Sequence, residues 1–234
     1  MSKTKKAVII GSVLVGIGVI IGFIGIAIGG FKFPNGAVDL TTMKALHTEK
    51  KTVQIADAFD KIEIAGAGSM DIEICKSKTG KNYVEYYDTD DWTSHVDVKD
   101  HVLKFTTDDK GTHKAVVSLG FGKDTAARLY LADAEYKEIA VTTLSGYVTI
   151  QDVNAGTVNV SASSGDIDLE RCDAEGFDIT TSSGDVDMEI TAGRMYRFET
   201  KTNSGDVDVP DGDADSGYLC KIVTSSGDVD VKQK

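Results

Sequence analysis

The sequence lacks several signals that assign a function at once. It has three cysteines, Cys75, Cys172 and Cys220, too few and too odd in number for a disulfide framework. Cys172 and Cys220 sit among apolar neighbours and read as small buried hydrophobes. There is no P-loop and no dinucleotide fingerprint. No Ser, Cys or Lys stands in a recognisable nucleophile motif. The four histidines, His47, His95, His101 and His113, are scattered in polar stretches without metal-ligand spacing. Tryptophan occurs once, as Trp92 beside Asp90 and Asp91, and reads as a loop or core-edge aromatic. A basic face is also missing. The net charge is −12, and three of the 25 basic residues but none of the 37 acidic ones precede residue 31. The remainder therefore carries 22 positive against 37 negative charges. Such a surface excludes nucleic acid, whose phosphates need a basic footprint. It suits an exterior that repels anionic polymers or collects cations. No catalytic pair or bound cofactor is expected, so the chain reads as a non-enzyme.

What is present begins with an uncharged run of 24 residues, 7–30. About 20 apolar residues cross the hydrocarbon core. The run exceeds the roughly 7–15 residues of a signal-peptide core and lacks a clear A-x-A cleavage site. It predicts an uncleaved transmembrane helix, with a cleaved signal as the alternative. Lys3, Lys5 and Lys6 precede it and place residues 1–6 in the cytoplasm by the positive-inside rule. The rest of the chain is then extracytoplasmic on a single-pass anchor in the cell membrane. Gly11, Gly18, Gly22, Gly25 and Gly29 fall within about 60° of one another on a helix. Such a face allows close helix packing, either with itself or with another membrane protein. Residues 31–52 read as a juxtamembrane linker, with turn chemistry at Phe33-Pro34-Asn35-Gly36.

From Val53 the apolar period becomes two. Ile62-Glu-Ile64, Met70-Asp-Ile-Glu-Ile74, Tyr83-Val-Glu-Tyr-Tyr87 and Val102-Leu-Lys-Phe105 alternate in the way of half-buried strands. Polar stretches 76–82, 87–94 and 106–113 read as protruding loops. Then one phrase recurs. Val160-Ser-Ala-Ser-Ser-Gly-Asp-Ile-Asp-Leu169 returns as Ile179 to Met188, Thr200 to Val209 and Ile222 to Val231. A weaker copy runs from Val141 to Ile150. The anchor glycines, Gly146, Gly165, Gly184, Gly205 and Gly227, are 19, 19, 21 and 22 apart. A period near 20 residues marks stacked repeats. Apolar columns two and four residues after each glycine, and five and seven before it, give two short strands per repeat facing one core. The glycine turns the chain between them, where a bend needs positive φ or close backbone approach. The prediction is an all-β, parallel β-solenoid over 53–234, irregular over 53–138 and regular over 139–234. The final coil, ending at Val231, would close the stack with an exposed strand edge.

Acids fill the places between the apolar columns. Asp166, Asp185, Asp206 and Asp228 make one column. Asp168, Asp187, Asp208 and Asp230 make a second that faces solvent. In-register stacking turns each into a ladder of carboxylates one strand spacing apart, about 4.8 Å. These residues either satisfy turns and solubilise the surface or, as weaker candidates, hold Ca²⁺ through several carboxylate oxygens. The nine-residue calcium repeat is absent.

The T-x-S-S-G-D-V-D-V phrase resembles the bacterial putative-adhesin family of unknown function. So does the earlier cadence from Phe59-Asp-Lys-Ile-Glu-Ile64 through Leu129-Tyr-Leu131 to Ile139-Ala-Val-Thr-Thr143. The membrane-anchored layout is similar to LiaG-like proteins encoded with envelope-stress systems of Gram-positive bacteria. The resemblance covers about residues 53–234. It implies an extracytoplasmic solenoid that binds a protein or cell-wall partner in adhesion or envelope stress, and it supplies no catalytic residues. A polysaccharide-active enzyme and a calcium-stabilised spacer are the alternatives.

Overall fold

Alternation in sequence becomes alternation in burial. Along Glu135–Ser145, Tyr136, Ile139, Val141 and Thr143 are buried while the residues between them are partly or fully exposed. A strand does this because successive side chains leave opposite faces of the pleat. The computed structural model describes residues 38–39, 44–45, 48–66, 70–89, 92–109, 116–117, 126–132 and 135–234. These residues form strands and turns with no helix among them. The predicted span 7–30, its five glycines and residues 1–6 lie outside the described residues.

The first nine strands are β1 (Val38–Asp39), β2 (Lys44–Ala45), β3 (Thr48–Ile55), β4 (Lys61–Gly66), β5 (Ile72–Lys76), β6 (Asn82–Thr89), β7 (Trp92–Lys99), β8 (Val102–Asp109) and β9 (Val116–Val117). The other ten are β10 (Ala127–Leu131), β11 (Glu135–Ser145), β12 (Val148–Gln151), β13 (Asn154–Ser164), β14 (Ile167–Ser183), β15 (Val186–Ile190), β16 (Arg197–Lys201), β17 (Val207–Asp208), β18 (Leu219–Val223) and β19 (Val229–Gln233). Contacts divide the chain into two units. In the smaller, β1 pairs antiparallel with both β2 and β9. The larger holds all the repeats.

The larger unit has two facing ladders. The strands that follow each glycine run in the order β3-β6-β10-β5-β12-β14-β15-β19-β17, here sheet I. The strands that precede each glycine run β7-β8-β4-β11-β13-β14-β18-β16, here sheet II. The 17-residue β14 passes from one ladder into the other. Neighbouring repeats pair in parallel at the predicted offset, with Ile139 beside Val158 and Val158 beside Phe177. Val148, Ile167, Val186 and Val229 make one fully buried column. Each such side chain contributes about 1.5–3 kcal/mol by leaving water.

Two features correct the expected parallel solenoid. First, the sheet is mixed. β3 with β6, β6 with β10, and β7 with β8 pair antiparallel. The segment has no Ser-Ser-Gly corner here and turns instead at Asp100 and His101, with φ of 52° and 62°. Two successive left-handed residues make the tight turn that joins antiparallel strands. Much of the stretches read as loops at 87–94 and 106–113 belongs to β6, β7 and β8, and β3 starts at Thr48 inside the expected linker.

Second, the repeats do not stack in chain order. β18 lies between β14 and β16, and β19 between β15 and β17. The glycine corners follow the order Gly146, Gly165, Gly184, Gly227, Gly205. The final coil is therefore an inner layer, and the coil at 197–209 ends the stack. Composition explains the choice. Cys220, Ile222, Val229 and Val231 are all buried, whereas the preceding coil has Thr200 in the Ile222 column. Its Val207 is 42% exposed. The more apolar coil gains more from cover on both sides.

Candidate binding surfaces

The glycine corner sets the geometry of both faces. At Gly165 φ is +126°, and an added Cβ would lie 2.2 Å from the Gly146 carbonyl oxygen. Only glycine permits that approach. It brings the Gly165 N–H to 3.0 Å from the Ser183 carbonyl oxygen. Inside the corner, Thr181, Thr224 and Thr202 donate their hydroxyls to the carbonyls of Gly165, Gly184 and Gly227 of the adjacent layer.

The first aspartate column is part of this corner. The Asp185 N–H donates to Asp166 Oδ1 at 2.9 Å. The Asp228 N–H donates to Asp185 Oδ1 at 2.8 Å, and the Asp206 N–H to Asp228 Oδ1 at 2.8 Å. Each carboxylate thus fixes the backbone of the next layer. Asp71 does the same for the Tyr147 N–H at 2.8 Å. Sequence reasoning missed Asp71, because the glycine-to-aspartate spacing does not hold in that early copy. In the weak copy, Leu144 and Tyr147 stand where other copies have small polar and acidic residues, and they are 61% and 58% exposed.

The second column is a true ladder on the outer face of sheet I. Thr149, Asp168, Asp187, Asp230 and Asp208 are successive partners. Glu170 and Glu189 form the next column beside it. Desolvation, then Glu170 and Asp187, raise the Asp168 pKa above the usual carboxylate value. Desolvation, then Asp230, raise that of Asp187. Two lysines meet these acids: Lys232, which continues the Glu170–Glu189 column, lies 2.9 Å from Asp230, and Lys234 lies 2.6 Å from Glu189. Among the described residues, no group of three or more His, Cys, Asp or Glu has metal-site geometry.

Sheet II is different. Its outer charges pair across strands, Lys61 with Glu138 at 3.0 Å, Lys104 with Glu63 at 2.7 Å and Lys221 with Asp178 at 3.1 Å. Surface pairs of this kind add little stability but leave the face nearly neutral. At the edge opposite the glycine corners, Gly156 approaches the Lys137 carbonyl so closely that a Cβ would lie 2.6 Å away. Gly156 also lines a groove of about 280 Å³, together with Glu135, Asn154, Asp173, Glu175 and Arg194. Arg194 is paired with Asp173.

The remaining singled-out residues are separate from these surfaces. Cys172 and Cys220 are buried free thiols, and burial pushes both up to about 12. Thiols held protonated are poor nucleophiles. His95 meets Asp108 at 3.2 Å across β7 and β8. Trp92 opens β7, with its N–H on Thr89 Oγ1.

Comparison with known proteins places the fold. A "putative cell adhesion protein" from Clostridium sporogenes superposes with a TM-score of 0.61 at 16% identity, covering 81% of this chain and all of that one. A "putative adhesin" from Bacteroides fragilis covers 80% of this chain and 97% of its own, with a TM-score of 0.37 at 15% identity. At such identity the first likeness shows a shared fold. No curated protein matches the chain. The family model described as Toastrack DUF4097 matches residues 59–234, and the chain belongs to that family.

Proposed function

We propose that this protein acts by binding, as an extracytoplasmic module anchored by residues 7–30, with the acidic face of sheet I as its contact surface. The observation that carries the reading is the in-register ladder of Asp168, Asp187, Asp230 and Asp208, flanked by Glu170 and Glu189. The stack fixes the spacing of these carboxylates, so a cationic protein or wall component meets a preorganised array. Preorganisation lowers the ordering cost of association. The biological setting we infer is adhesion or the envelope-stress response of the cell surface. A crosslinking pull-down from intact membranes, with and without envelope antibiotics, tests it. The partner captured by the parent chain should be lost with Asp168→Asn, Asp187→Asn and Asp230→Asn combined. Undiminished capture by that variant rejects the acidic face as the contact.

A second reading is favoured by the groove at Gly156, whose lining includes Glu135, Asp173 and Glu175. Acid pairs in grooves cleave glycans when one carboxyl is kept protonated. Turnover of an anionic or cell-wall glycan that disappears in Glu175→Gln would support it. Full turnover in that variant would discard Glu175 as the acid.

A further inference from the structure

The coil at 197–209 ends the stack: among the described residues, β16 pairs only with β18 and β17 only with β19. Phe198 and Val209 pack on the core only in part, and Val207 is exposed. The phase of the backbone says which groups face outward. The Arg197 N–H donates to the Tyr218 carbonyl, and the Lys201 carbonyl accepts from the Thr224 N–H. The peptide groups of residues 197, 199 and 201 therefore point into the stack, and those of Phe198, Thr200 and Thr202 point away from it. At Tyr196 the outward carbonyl already accepts the Asp213 N–H at 2.9 Å. The 210–217 loop thus closes one end of this edge, with Gly212 packed against Phe198, and leaves Thr200 to Thr202 open.

We propose that this open edge pairs with the same edge of a second copy of this chain, antiparallel about a two-fold axis at Thr200. Two identical edges can meet only in this isologous way. The axis at Thr200 lets both Thr200 residues exchange N–H and C=O bonds. It also sets Glu199 opposite Lys201 of the second copy, twice, and both side chains are exposed on the outer face of β16. An axis at Phe198 would collide with the Asp213 bond to Tyr196. An axis at Thr202 would set Lys201 against Asn203 and lose the ion pairs. The opposite end of sheet I is blunted by Glu49, Lys50 and Lys51 on β3.

Sedimentation of the full chain in detergent micelles, over a wide concentration range, tests this. The parent should form a two-chain species. Lys201→Glu sets like charges opposite each other and should weaken it about tenfold, two cross-strand pairs being lost. Adding Glu199→Lys to that variant reverses both charges and should restore association. Thr200→Pro removes an outward N–H without touching the ladder to β18, and should leave a folded single chain. Association through the glycines of residues 7–30 would be indifferent to all three variants. A single-chain mass for the parent at every concentration overturns the proposal. Equal association in the parent, Lys201→Glu and Thr200→Pro overturns it as well.

Discussion

The glycines at the corners are defined by what stands in front of them. Gly165 faces the Gly146 carbonyl at a distance no Cβ can share, and Gly184 faces that of Gly165 in the same way. Gly165→Ala should therefore cost about 3 kcal/mol or more, from strained backbone and a forced opening of the layers. Gly80 also has positive φ, at +64°, but meets nothing within 4 Å. Gly80→Ala should cost only about 1 kcal/mol. Urea titration of both variants checks the contrast, and equal losses would reject the close-approach explanation. The first-column carboxylates act at the same scale. Asp185→Ala leaves the Asp228 N–H without its acceptor and should cost about 1 kcal/mol. Asp185→Asn keeps an oxygen there and should cost clearly less by the same titration.

The ladder on sheet I is a property of strands rather than of residues. Asp168 and Asp187 have raised pKa values because stacking partly desolvates them and sets neighbouring carboxylates beside them. The folded state therefore binds these protons more tightly than the unfolded chain. Their contribution favours folding below the unfolded pKa and is lost as the pH rises through the folded one. Asp187→Asn should thus raise the neutral-pH stability slightly, by about a few tenths of a kcal/mol given its exposure, and the Tm with it. The gain should vanish below the carboxylate range. Melting curves at neutral and acid pH decide it, and a gain that persists in acid would sink the electrostatic account. In the first column Asp166, Asp185 and Asp228 each already give Oδ1 to a backbone N–H of the next layer, so calcium is not expected to hold the layers together. A Tm that rises with millimolar Ca²⁺ and falls with chelator would show otherwise.

At the scale of the whole molecule, the position of the C-terminal coil matters most. A sequential stack would lose only its last layer on removal of residues 219–234, and the remainder would stay folded. In the observed order that deletion empties an inner layer. It uncovers Phe177, Ile179, Val186 and Met188 and removes the buried Ile222, Val229 and Val231. The loss should be several kcal/mol, at about 1.5–3 kcal/mol per large apolar side chain. Thermal melting of the truncated chain checks this. Melting like that of the parent would mean that the 197–209 coil redocks on β14 and β15.

The sequence by itself determined the repeat. Glycine spacing set the offset between layers, alternation set which side chains are buried, and the two aspartate positions set which acids turn and which face water. These follow from local chemistry: a bend that only glycine allows, and a pleat that alternates. The tertiary structure decided the order of the layers and where the stack ends. Every coil carries the same columns, so each one fits on any other, and local pattern cannot rank the arrangements. The order was settled by the balance of Ile222 against Thr200 in one shared column, and by a connecting loop long enough to pass a layer. The acidic face needs only in-register layers, but the open edge at Thr200 exists because of that order.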